Sequence, residues 1–137
     1  MNISGRCDYA CRAMLELAIR YETGTAVTSQ TIAEQRGIPD KYLTHILLQL
    51  KRARLVRSMR GAQGGYTLQK PPEKISLLQI VEAIDGPVMY PKNTTSDDAS
   101  EMRTFWQAVS RDFNEIMERI TLRKMLDMTF KPTMFHI

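Results

Sequence analysis

Cysteine is scarce in this chain: Cys7 and Cys11 are the only two among 137 residues. Four positions apart, they build no disulfide framework. His45 and His136 are the only histidines, so a four-ligand zinc site has no workable spacing of cysteine and histidine. Long apolar runs are missing too, and none nears the roughly 18 residues of a membrane span. The opening residues, Met1-Asn2-Ile3-Ser4-Gly5-Arg6, have no extended apolar stretch and no small-residue cleavage site. No signal peptide is expected from them, and a cytoplasmic protein is. Asn93-Thr94-Thr95 fits a glycosylation sequon, a chance match in an unsecreted chain. There is no serine- or cysteine-centred catalytic signature and no phosphate-binding loop, so no enzyme activity, metal or cofactor is expected.

The length suits one core with an appended arm. The formal charge of +4 is modest, but it is unevenly spread. Lys51, Arg52, Arg54, Arg57 and Arg60 lie within ten residues that contain no acid, while Asp97, Asp98 and Glu101 load a later segment. Concentrated cations form an electrostatic footprint for phosphate. An isolated basic run is more often a solvated face, so its neighbours must decide.

Those neighbours favour a DNA-binding unit. A first helix is expected over about residues 5–21, because Cys7, Ala10, Cys11, Met14, Leu15 and Ala18 recur at three-and-four spacing. Ala26-Val27-Thr28 reads as a short strand that pairs with a later hairpin. Thr28 or Ser29 caps the next helix, which runs to Arg36, and Gly37 turns the chain. Pro39 suits the first turn of a further helix reaching about Ala53. On that helix Tyr42, Leu43, Ile46, Leu47 and Leu50 are expected to face inward. Asp40, Lys41, Thr44, His45 and Leu48 are left for the outer face. Leu55 to Met59 and Tyr66 to Lys70 read as paired strands, and Arg60-Gly61-Ala62-Gln63-Gly64-Gly65 as their tip. The glycines there permit positive φ and close approach to a ligand.

This order is that of a winged helix-turn-helix: a helix for the major groove and an arginine on a narrow wing for the minor groove. Asp40, Lys41, Thr44 and His45 are the candidate major-groove residues. Arg60, Gly61 and Gln63 are the candidates on the wing. Ser29, Tyr42, Lys51, Arg52, Arg54 and Arg57 are the candidate phosphate contacts.

Beyond the break at Pro71-Pro72, Ser76-Leu77-Leu78-Gln79 forms a capping box for a helix ending at Asp85-Gly86-Pro87. Residues 87–100 carry no apolar periodicity and read as a loop. From Glu101 the pattern becomes helical again. Met102, Phe105, Trp106, Val109, Phe113, Ile116, Met117 and Ile120 keep one face apolar for roughly 30 Å of helix. A small core already covered by four or five helices leaves that stripe for a second copy of the chain. Thr121 is expected to cap a last short helix through about Met128. The fold class is therefore mainly α with a small β-wing. Residues 1–86 form the DNA-binding part, 87–100 a loop, and 101–137 a dimerisation helix with a tail.

The chain also resembles a family, the Rrf2-type winged-helix regulators that include IscR, NsrR and CymR. The resemblance rests on Asp8-Tyr9-Ala10 with Ala13-Met14-Leu15-Glu16-Leu17-Ala18, on Ile38-Pro39-Asp40-Lys41-Tyr42-Leu43, and on Leu55 through Leu68. Gly86-Pro87, Trp106 and Ile120-Thr121-Leu122 extend it over nearly the whole chain. It implies a homodimer that binds palindromic double-stranded DNA, with half-sites about 34 Å or a multiple apart. Several members carry a glutamate after the tyrosine–leucine pair, where this chain has Thr44.

Cluster-binding members place three cysteines between the Gly-Pro turn and the long helix, and residues 87–105 here contain none. The resemblance is therefore to the cluster-free, CymR-like members, and to a repressor. Asp8 holds the position from which the nitric-oxide sensors supply a carboxylate, although a surface or capping aspartate explains it as well. Cys7 and Cys11 are either packing residues of the first helix or redox thiols. The ending Met134-Phe135-His136-Ile137 resembles that of the cysteine-metabolism repressors, whose enzyme partner is O-acetylserine sulfhydrylase. A tail docked on such a metabolic enzyme, or packed on its own dimer, are the two readings it leaves.

Overall fold

The computed structural model describes residues 3–87 and 100–129. Helix α1, Gly5–Ile19, begins where the Ser4 hydroxyl accepts the Cys7 backbone N–H at 3.0 Å. It buries Cys7, Ala10, Ala13, Met14, Leu17 and Ala18. It stops two residues short of the expected end, because residues 20–24 turn. Helix α2, Ser29–Arg36, is capped by Thr28, whose hydroxyl accepts from the Thr31 N–H at 3.1 Å. Gly37 closes it in the left-handed conformation, φ 62°, as the turn requires.

Helix α3, Asp40–Arg52, follows at once. Pro39 stands just outside it rather than in its first turn. Leu43, Ile46, Leu47 and Leu50 are all buried in the core. Burial of each is worth about 1.5–3 kcal/mol, which fixes the rotation of the helix and sends its other side outward. Tyr42 was expected among these inward residues and is not one of them. It is 38% exposed, standing one position before Leu43 on the flank of the apolar stripe.

Strands β1, Val56–Met59, and β2, Gly65–Leu68, pair antiparallel with Val56 opposite Leu68 and Met59 opposite Gly65. Both are shorter than the segments expected from the sequence. Val27 adds the anticipated third edge by a single bridge to Tyr66, with N–H···O distances of 2.9 and 2.8 Å. Gly61 and Gly65 take the positive φ expected of them, and the hairpin and this bridge add a second demand on Gly64 and Gly65. A Cβ on Gly65 would lie 2.5 Å from the Val27 carbonyl, and one on Gly64 would lie 2.4 Å from the Met59 oxygen. The protein's own backbone approaches closely there.

A single 3-10 turn, Pro72–Lys74, leads into helix α4, Leu77–Asp85. The capping box forms in full: Ser76 Oγ accepts from the Gln79 N–H at 3.2 Å, and Gln79 Oε1 accepts from the Ser76 N–H at 2.9 Å. Helix α5 spans Ser100–Arg119 and helix α6 Leu122–Thr129, the latter capped by Thr121. The joint between them is sewn to the α4 entry, with Leu77 N–H on the Ile120 oxygen at 2.7 Å and Leu122 N–H on the Ile75 oxygen at 2.9 Å. Leu122 and Leu126 then enter the same core as α1 and α3. The carboxy-terminal part thus shares one core with the first 86 residues.

Candidate nucleic-acid interface

Because the inner side of α3 is committed to the core, the outer side is defined without ambiguity. Asp40, Lys41, Thr44, His45 and Leu48 all lie exposed on it. The Thr44 hydroxyl donates back to the Asp40 carbonyl at 3.2 Å. Its proton is spent, so it presents a methyl group and an acceptor oxygen. Ser29 opens α2 beside this surface, and Ser29, Asp40 and Thr44 line a groove of about 560 Å³ between α2 and α3.

The basic run leaves α3 and climbs into the wing. Lys51 Nζ donates to Ser58 Oγ at 3.0 Å and Arg57 Nε to Thr67 Oγ1 at 3.3 Å, so both side chains are held by neutral oxygens rather than carboxylates. Arg54 has φ 61°, a left-handed backbone that costs a non-glycine residue roughly 1–2 kcal/mol. No motif in the sequence announced that turn. Arg60, Gly61 and Gln63 are exposed at the hairpin tip, where Gly61 adopts φ 108°. Among the described residues, none of Lys41, Lys51, Arg52, Arg54, Arg57 and Arg60 enters an ion pair, whereas Arg12, Arg20, Arg36 and Arg123 do. The cations around α3 and the wing thus form an unneutralised group within twenty residues, 41–60, that contain no acid.

The stripe on α5 divides in two. Met102, Phe105, Trp106, Val109 and Ile116 are each at least 44% exposed. Met117 is buried in the chain's own core and Phe113 packs against it, so Met117 is not part of a surface open to a partner. Ile120 lies just past the helix and is half-buried. An apolar patch of this length on a small protein marks an interaction face.

Cys7 is fully buried and Cys11 half-buried, both as free thiols. The Cys11 S–H bonded to the Cys7 sulfur pushes the Cys11 pKa up, helped by burial, and draws that of Cys7 down against burial and the nearby Asp85 and Asp8. Asp8 itself pairs with Arg12 at 2.7 Å on the surface of α1. Burial predicts that iodoacetamide leaves Cys7 untouched in the folded protein and alkylates it after denaturation. Fast modification of both thiols in the native state would instead support a redox pair.

Sequence reasoning passed over two groups here. Tyr9 of α1 stacks on Tyr42 with ring centroids 5.8 Å apart. Glu16 of α1 is buried and accepts from Arg20 and Arg36 at 2.8 and 2.9 Å. The Tyr9–Tyr42 stack and the Glu16–Arg36 pair have no local signature, since each depends on how α1 meets the helix-turn-helix.

Comparison with known proteins agrees with this geometry. The Rrf2 family, described as an iron-dependent transcriptional regulator, matches residues 3–128. The chain belongs to the Rrf2 family. The HTH-type transcriptional regulator CymR of Bacillus subtilis is 30% identical over 129 residues, covering 94% of this chain and 92% of that protein. The solved structure of CymR, the global cysteine regulator of B. subtilis, matches with a TM-score of 0.78 at 26% identity over 91% of this chain and 95% of that one. T. potens IscR matches with a TM-score of 0.79 at 28% identity over 100% of this chain and 94% of that one. This Rrf2 chain is thus a winged-helix transcriptional regulator.

The family description names iron, and this chain's donors do not fit a thiolate-held cluster. Its two cysteines lie together on α1, one of them fully buried, and such clusters take three or four thiolates. Among the described residues, no three His, Cys, Asp or Glu side chains gather in a metal-binding arrangement. No helix among them is long and apolar enough to cross a membrane. Of the expected loop of residues 87–100, Ser100 already belongs to α5, and residues 88–99 lie outside the described residues, as does the tail motif Met134–Ile137.

Proposed function

We propose that this Rrf2 regulator is a homodimeric, sequence-specific DNA-binding protein that acts as a repressor by occupying a palindromic operator. The observation that carries this reading is the unneutralised charge. Six cations flanking the outer side of α3 and running up the wing fall between residues 41 and 60, a stretch without a single acid, and none of them has an acidic partner among the described residues. Side chains kept that way suit phosphate oxygens.

In this reading Asp40, Lys41, Thr44 and His45 enter the major groove and Arg60 the minor groove, with Gly61 and Gln63 shaping the tip. Ser29, Tyr42, Lys51, Arg52, Arg54 and Arg57 hold phosphates. The strained backbone at Arg54 fits such a role, because an asparagine or glycine would relieve the strain but forfeit the charge. Met102, Phe105, Trp106, Val109 and Ile116 meet their copies in a second chain. The two-fold axis then presents two recognition helices to one face of the duplex.

Titrating the purified protein against genomic fragments at several salt concentrations tests the reading. The logarithm of affinity should fall steeply with that of salt, losing about 0.9 in slope for each phosphate contact removed. Lys51→Ala should weaken all sequences alike and flatten the slope by about one, whereas Arg60→Ala should also relax preference at the positions beneath the wing. A protein that prefers no fragment even at low ionic strength would refute sequence-specific binding.

A further inference from the structure

We infer that Tyr9 on α1 is a positioning residue for DNA binding, holding Tyr42 and, through it, the Lys41 ammonium at the entrance of the recognition helix. This rests on the reading that Lys41 meets DNA. Four side chains from two helices touch in succession. Arg12 lies 5.4 Å from the centre of the Tyr9 ring, the Tyr9 and Tyr42 rings are 5.8 Å apart at 29°, and Lys41 Nζ is 5.1 Å from the centre of the Tyr42 ring. Tyr9 is half-buried and packs on the core, so it is anchored. Tyr42 is over a third exposed and owes its place to that neighbour.

The two ends of this series differ in charge balance. Arg12 is neutralised by Asp8 at 2.7 Å, and Lys41 has no ion-pair partner among the described residues. A lysine on an exposed first helical turn loses most of its rotamer freedom when its ammonium settles into a groove between the phosphates. Holding the ammonium against an aromatic face beforehand removes part of that loss, and the aromatic face needs the Tyr9 ring behind it. The rings, not the hydroxyls, make these contacts. Phenylalanine at position 9 should therefore serve as well as tyrosine.

The test uses the full-length protein and a duplex of about 30 base pairs, three turns of B-DNA, recovered from random sequence by the wild type. Affinity and salt slope are measured for wild type, Tyr9→Phe, Tyr9→Ala, Lys41→Ala and the Tyr9→Ala/Lys41→Ala pair. Tyr9→Phe should match wild type. Tyr9→Ala should weaken binding about five- to tenfold and flatten the salt slope by about one, a loss a merely structural role would not produce. Lys41→Ala should do the same, and the double variant should be little worse than either single one. Should Tyr9→Ala not fold, Tyr9→Leu keeps the apolar volume, loses the ring and carries the same expectation. Additive losses, or an unchanged slope in the Tyr9 variant, overturn the role of Tyr9 alone. A wild type that enriches no sequence overturns the DNA-binding reading and the role of Tyr9 together.

Discussion

Placing carboxylates at Phe105 and Trp106 together should convert the protein to a folded monomer and cut operator affinity by about a thousandfold. The two aromatic side chains are 62% and 44% exposed on α5, a degree of exposure that large aromatic groups tolerate poorly without a partner. Covering one such side chain is worth about 1.5–3 kcal/mol. Two from each protomer make about 6–12 kcal/mol at a two-fold interface, or four or more decades in the dimer constant.

Glutamate at both positions removes that contribution and sets like charges against each other across the axis. The monomer should keep its fold, because Met117 and Phe113 on the other side of α5 remain packed on the core. A lone protomer still reads one half-site, so the affinity loss reflects the second half-site and its phosphates. Sedimentation at micromolar concentration, paired with a thermal melt, checks the prediction. A double variant that sediments as the wild type does, or a wild type that is itself monomeric, would show that the stripe serves something else.

The features legible in the sequence were those written in local chemistry. Gly37 and the Ser76–Gln79 box announced helix ends because capping involves residues three or four apart. The α3 stripe from Leu43 to Leu50 announced its own orientation by periodicity, and with it the exposed set Asp40, Lys41, Thr44 and His45. Tyr42 was misplaced because its flank position can fall either way, and what settles it is Tyr9 on another helix. The glycines of the wing were legible as a turn with positive φ, which Gly61 and Gly65 adopt, but the close backbone approach at Gly65 was not. Gly65 is demanded by Val27, nearly forty positions earlier in the chain. Arg54 carries a left-handed backbone that arginine does not signal. Met117 belongs to the apolar period of α5, and only the packing of that helix against α4 separates it from Phe105.

The least legible residue is Glu16, and its removal should have the second large effect. In sequence it looks like an ordinary surface partner for Arg20 four residues on. In the fold its side chain is only 8% exposed and accepts from two guanidiniums, Arg20 Nε at 2.8 Å and Arg36 Nε at 2.9 Å. Arg36 is the last residue of α2, so this carboxylate pins the first helix of the helix-turn-helix onto α1.

Alanine at position 16 would leave Arg36, itself only 20% exposed, without its counter-charge. Loss of one partner from a buried pair costs about 3–5 kcal/mol. Arg20 is 40% exposed and can turn to water, which brings the expectation down to about 2–4 kcal/mol. For a chain of this size that is a melting point lower by roughly 7–14 °C, compared at matched protein concentration.

Glutamine at position 16 keeps the volume and one acceptor but not the charge, so it should fall between wild type and alanine. Arg36→Ala combined with Glu16→Ala should cost less than the sum of the two, because each already removes the same contact. If Glu16→Ala melts within a degree or two of wild type, the carboxylate is not what joins α1 to α2. The apolar seam of Ile32 and Ile38 against the core must then hold the helix-turn-helix on its own.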